Sequence, residues 1–165
     1  MSITWDDLMV GDELPARTFG PVERTDLIRY AGASGDFNPN HTIDDSARSA
    51  GFPSVFAHGM FHAGVMATVL TDAFGSRSVR RLRVQFREQV WPGDLLTFTG
   101  SVTARDEVRR AVELELTCTR EGGGTALRGW ATCVVDTDLV AATGGTDGTD
   151  RAARAPGAPG AADGG

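Results

Sequence analysis

Hydrophobic positions along the chain fall into two regimes. Between residues 25 and 74 they recur at helical spacing. Thr25 stands where an N-cap is expected, ahead of Asp26-Leu27-Ile28-Arg29-Tyr30-Ala31, and the stretch from Gly32 to Gly35 marks the stop. A short helical turn is expected over residues 44–50, closed by Gly51 and Pro53. The longest apolar stretch runs from His58 to Phe74. Its Met60, Phe61, Ala63, Val65, Met66, Val69 and Leu70 cover most of a helical circumference, the pattern of a buried helix.

Beyond residue 80 the period changes to two. Leu82, Val84 and Phe86 alternate with arginines and Gln85, and Val112, Leu114, Leu116 and Cys118 alternate with Glu and Thr. Leu127, Gly129, Ala131, Cys133 and Val135 repeat the pattern after the Gly122-Gly123-Gly124 turn, and Trp91-Pro92-Gly93-Asp94 is a second turn between strands. Alternation of this kind predicts antiparallel strands with one wet face. One buried helix followed by consecutive strands gives an α+β domain, a sheet wrapped around a central helix. Such a sheet keeps open edges and one helix cannot cover both its faces, so pairing with a second copy or a homologous domain is expected.

Composition sets the limits of the domain. From residue 141 to 165 no large apolar residue occurs, and the segment is almost wholly Ala, Gly, Thr, Asp, Pro and Arg. It cannot bury enough surface to offset its ordering entropy, so the folded part is read as residues 1–138, with 139–165 a disordered tail. The 165 residues carry a net charge of −6, which argues against a nucleic-acid partner. The two cysteines, Cys118 and Cys133, have no metal-type spacing and read as core residues of a reducing compartment. Met1 to Asp7 has neither the basic nor the apolar region of a signal peptide, and no apolar run approaches the roughly 20 residues of a membrane span. A cytoplasmic protein is expected.

Candidate chemistry is concentrated between Tyr30 and His41. Gly35-Asp36 follows a helix end and Asn38-Pro39 forces a turn, so Asp36 and His41 stand five apart across a bent loop. A carboxylate and an imidazole that converge can hold a water and move its protons near neutral pH. Asp, Asn, Pro and Gly are also ordinary turn residues, and spacing alone leaves both readings open.

The same string resembles the signature of the MaoC-like, or (R)-specific enoyl-CoA hydratase, family: an aromatic residue, a few small ones, then Gly-Asp-x-Asn-Pro-x-His. Tyr30, Gly35, Asp36, Asn38, Pro39 and His41 match it, with Ala47 as the small residue that follows. Ala57-His58-Gly59-Met60 is similar to the family's motif opening its central helix. Val84-Gln85-Phe86 through Val90-Trp91-Pro92-Gly93-Asp94 is similar to its strand-turn-strand, and Val10-Gly11-Asp12 is also typical. The resemblance spans about residues 5 to 136.

The resemblance implies a hot-dog fold, usually dimeric, and reversible hydration of a trans-2-enoyl thioester to the (R)-3-hydroxyacyl thioester, carried by coenzyme A or an acyl carrier protein. It implies Asp36 and His41 as the catalytic pair. The reaction also needs a donor for the developing enolate oxygen, and the Gly59 N–H, at the start of the long helix, is the candidate. No metal or redox cofactor is called for, because the thioester itself activates the α-carbon.

Around this core, Asn38 is read as fixing the turn or contacting substrate, His58 as shaping the pocket or capping the helix, and Met60 as a substrate contact. His58 and His62 are four apart and could face one metal, but Gly59 replaces the expected Glu and no third ligand is evident. Gly64 occupies a position where some family members carry Ser. Arg77, Arg80, Arg81, Arg83 and Arg87 read as a solvated strand face or as a receiver of coenzyme A phosphates or an acidic carrier protein. Competing functions on this fold are an acyl thioesterase, disfavoured by the Gly-Asp-x-Asn-Pro-x-His loop, and one half of a heterodimeric dehydratase. Because Asp36 and His41 are both present, this chain would be the active half.

Overall fold

The computed structural model describes residues 3–135; the tail read at 139–165 lies outside them. Three helices, α1 (Arg24–Ser34), α2 (Asp44–Ser49) and α3 (Gly59–Phe74), accompany five strands. The strands are β1 (Arg17–Phe19), β2 (Val79–Phe86), β3 (Leu96–Asp106), β4 (Ala111–Arg120) and β5 (Thr125–Val134). They form one antiparallel sheet in the order β1-β3-β4-β5-β2, which is the expected α+β arrangement.

The alternation in β4 decides which face of the sheet meets α3. Val112, Leu114, Leu116 and Cys118 are each 2% exposed or less, while Glu113 is exposed on the other face. On the helix, Ala63, Met66, Leu70 and Phe74 recur every three or four residues and fill the inner face of the sheet. Met66, Leu70 and Phe74 each stabilise the fold by roughly 1.5–3 kcal/mol through the apolar area they remove from water. Gly129 permits the close approach: a Cβ there would lie 2.6 Å from the Met66 sulfur. Cys118 and Cys133 are free and buried, and burial pushes both thiols up to about 12.

Two expectations need correction. Helix α3 is not covered all round, because a single sheet covers only one side of it. Met60, Gly64, Thr68 and Asp72, four apart, form an exposed stripe. Helix α1 begins before Thr25: its N-cap is Glu23, whose N–H donates to the Asp26 carboxylate at 2.9 Å. Strand β1 is only three residues long, too short for alternation to register, and is defined by its pairing with β3, Phe19 opposite Leu96. No helix among the described residues is long and apolar enough to cross a membrane.

Candidate active site

The loop after α1 is held in shape by its own side chains. Gly35 takes the left-handed conformation (φ 73°) that ends the helix, its N–H donating to the Ala31 carbonyl at 2.9 Å. The Asp36 N–H donates to Ser34 Oγ at 3.2 Å, and Asp36 Oδ1 accepts the Asn38 N–H at 3.2 Å. Asn38 Oδ1 in turn accepts the Asn40 N–H at 3.1 Å and caps the 3-10 turn Pro39–His41. The turn-fixing role of Asn38 is therefore the one the geometry displays.

That turn delivers His41 into a buried position, where its Nδ1–H donates to the Phe56 carbonyl at 2.7 Å. The bond assigns the tautomer and leaves Nε2 as the basic nitrogen. His58, the N-cap residue of α3, makes no side-chain cap. Its Nε2 meets the Asp36 backbone carbonyl at 3.0 Å instead, tying the loop to the start of the helix. The His41 and His58 rings stack, and the Tyr30 ring packs on His58 from 5.1 Å. Burial, reinforced by the nearby His41, lowers the His58 pKa against an opposing pull from Asp36, so His58 is neutral at neutral pH.

Asp36, exposed at the loop surface, completes the cluster: one donor atom from each of Asp36, His41 and His58 lies within 4.8 Å of the others. Three such groups are a set a cation could use. Here one nitrogen of each histidine faces a backbone carbonyl and the rings lie face on face, an arrangement suited to acid–base chemistry rather than to convergent ligation. His62 is absent from this cluster, so the His58–His62 pairing considered from the sequence is not the one that forms.

A cavity of about 370 Å³ opens on the cluster, lined by Tyr30, Ser34, Asp36, His58, Gly59, Met60 and Phe86. His41 lies behind this wall, against His58. No described residue accepts from the Gly59 N–H, which opens α3 and faces the site with the positive end of the helix dipole. Met60 is exposed beside it. Tyr30 and Ser34 lie in the segment singled out from the sequence, whereas Phe86 was read there only as part of a strand motif and not as a site residue. A larger hollow of about 440 Å³ lies on the outer face of the sheet, among Glu13, Thr99, Glu115, Thr117 and Arg128, away from the cluster.

Residues 9–122 match the MaoC like domain family. The chain belongs to that family. It is 32% identical over 117 residues to an (R)-specific enoyl-CoA hydratase of Rhodospirillum rubrum, covering 69% of this chain and 80% of the relative. The fold is similar to that of R-hydratase PhaJ1 from Pseudomonas aeruginosa in the unliganded form, with TM-score 0.74 and 22% identity over 81% of this chain and 86% of the other. It is also similar to a chain of the ChsH1-ChsH2 complex from Mycobacterium tuberculosis, with TM-score 0.70 and 20% identity over 78% and 98% of the two chains. The MaoC-like family and the hot-dog fold implied by the sequence motifs are thus both found.

Proposed function

We propose that this protein catalyses the reversible hydration of a trans-2-enoyl thioester to the (R)-3-hydroxyacyl thioester. The observation that carries the reading is the convergence of Asp36 and His41 beside the free Gly59 N–H at a helix start. In the hydration direction the Asp36–His41 pair takes one proton from a bound water as its oxygen bonds to C3. The electrons of the C2–C3 double bond move to C2 and the thioester oxygen, and the resulting enolate is stabilised by the Gly59 N–H. The pair then returns one proton to C2 and is unchanged over the cycle. It acts as a unit, with the two protons shared between neighbouring groups. His58 positions both members, one through the Asp36 carbonyl and one through the ring stack.

The assembly we infer is a pair of hot-dog subunits in the cytoplasm, this chain with a second copy or with a homologue in which it is the catalytic half. Supporting this, strand β2 is a sheet edge unpaired among the described residues, and Ile28, Phe37, Ile43, Met60 and Phe86 are exposed apolar residues. One structural relative is a two-component complex. Arg77, Arg80, Arg81, Arg83 and Arg87 are exposed and not ion-paired among the described residues, so they are available to an anionic carrier, coenzyme A or an acyl carrier protein.

The test is loss of enoyl-thioester absorbance with crotonyl-CoA and with a crotonyl carrier protein. Wild type is expected to hydrate at least one of them, and Asp36→Asn and His41→Ala to lose about 100-fold or more in kcat. Release of free thiol without hydration would identify a thioesterase instead.

A further inference from the structure

One turn beyond His58 on α3, His62 is 2% exposed, and neither of its ring nitrogens has a hydrogen-bond partner among the described residues. The His58 carbonyl one turn back favours the protonated ring slightly, but not in hydrogen-bonding geometry. Buried polar groups without partners are rare because each forfeits its bonds to water. Simple packing would be served as well by Leu or Phe.

The ring does not face the Asp36 cavity. It lines a second one of about 320 Å³, whose wall includes Phe56, Ala57, Gly59, Phe86 and Gln89. Gly59 and Phe86 belong to both cavities. The Phe86 ring stands directly on Gly59, where a Cβ would lie 3.0 Å from its Cε1, and its plane is turned 86° from that of His62. Phe86 is therefore a partition at the point where the thioester carbonyl would bind.

A thioester whose oxygen takes the Gly59 N–H sends one arm to each side of that point. Its C2 and C3 must lie on the Asp36 side, which leaves the sulfur-bearing arm for the His62 side. We propose that His62 is a specificity-determining residue that hydrogen-bonds the first amide of the thiol arm. Such an amide follows the thioester sulfur by two methylenes in both coenzyme A and a carrier-protein prosthetic group. A neutral imidazole offers one N–H donor and one acceptor, and a secondary amide offers the complementary carbonyl and N–H. This inference rests on the hydratase reading for the placement of the carbonyl.

The experiment compares crotonyl-N-acetylcysteamine, which carries the amide, with S-butyl thiocrotonate, which has alkyl chain in its place. His62→Leu is expected to lower kcat/KM for the amide substrate by about 10- to 100-fold, the loss of a hydrogen bond to a buried partner, and to leave the alkyl substrate within about twofold. His62→Gln, which keeps a donor and an acceptor, is expected to recover part of the difference. Equal losses on both substrates, or none on either, would overturn the assignment. A readout independent of turnover is the ¹⁵N shift of the His62 ring in wild type on adding butyryl-CoA. Movement of that signal supports the contact even if hydration is absent, and an unmoved signal at saturating ligand overturns it even if hydration is present.

Discussion

The imidazole rings of His41 and His58 lie 3.8 Å apart between centroids, with their planes 31° apart. Each ring spends one nitrogen on a backbone carbonyl, His41 on Phe56 and His58 on Asp36. His58 therefore controls two things at once: the plane in which His41 is held, and the position of the Asp36 backbone. Two substitutions separate these. His58→Ala removes a buried ring and its bond, and should destabilise the protein by about 3 kcal/mol in urea unfolding. His58→Phe keeps the stack and most of the volume but has no donor for the Asp36 carbonyl. It should fold with a smaller loss yet reduce the hydration kcat by about tenfold or more. Wild-type kcat in His58→Phe would show that the carbonyl bond does not position Asp36.

Burial of His62 gives stability a specific acid dependence. Desolvation lowers its pKa from 6.5 to about 4 in the folded protein. The unfolded chain then binds more protons than the folded one between those values, so stability is complete above pH 6.5 and falls as pH drops towards 4. The gap corresponds to a loss of about 3 kcal/mol. His58, whose pKa is also lowered by burial, acts in the same direction from pH 6.5 downwards. Asp44 does not enter this window, because Arg24 and the Val55 N–H hold its carboxyl at about 2; its contribution is lost only below pH 3.8. Urea midpoints measured from pH 7.5 to 4 should show a smaller drop for His62→Leu than for wild type. Equal slopes would mean that His62 is not held neutral by burial.

Helix α3 and the Asp36–His41 loop were legible in the sequence because residue types alone specify them. The apolar run fixed the helix to within one residue of its start, and Gly35, Asn38 and Pro39 are the residues such a turn requires. The contacts that orient the site were less legible because their acceptors are main-chain carbonyls, which every residue carries. Nothing in the side chains of Phe56 or Asp36 announces that their carbonyls receive His41 and His58. Phe86 misled for a different reason. It continues the inward phase of Leu82 and Val84, but β2 runs past the side chains of α3 there and meets Gly59, which has none. The inward position is thus left 48% exposed.

Gly32 tests the cost of the family's small-residue run without touching the site. It lies inside α1, is exposed, and a Cβ on it would meet no atom of the described residues within 4 Å. An interior helical glycine loses more backbone entropy on folding than alanine does. Gly32→Ala should therefore raise stability by about 0.5–1 kcal/mol in urea unfolding, with hydration activity unchanged. Lower stability would mean that a partner subunit packs against this face of the helix.

Gly59 is the position at which main-chain donor and close approach can be told apart. Gly59→Ala retains the N–H, so the donor survives, and alanine is favourable in the first turn of a helix. What changes is space: the new Cβ lies 3.0 Å from the Phe86 ring and at the mouth of the Asp36 cavity. Since Phe86 is half-exposed and free to shift by a few tenths of an ångström, stability should stay within about 1 kcal/mol of wild type. Hydration kcat/KM should nevertheless fall by about 100-fold, the scale set by a displacement of one ångström in the reacting groups. The double variant Gly59→Ala, Phe86→Leu separates the two sources of crowding. If it stays inactive, the methyl group obstructs the thioester itself, as expected for a carbonyl seated on this N–H. If activity returns, the obstruction came from the displaced ring, and the carbonyl binds elsewhere.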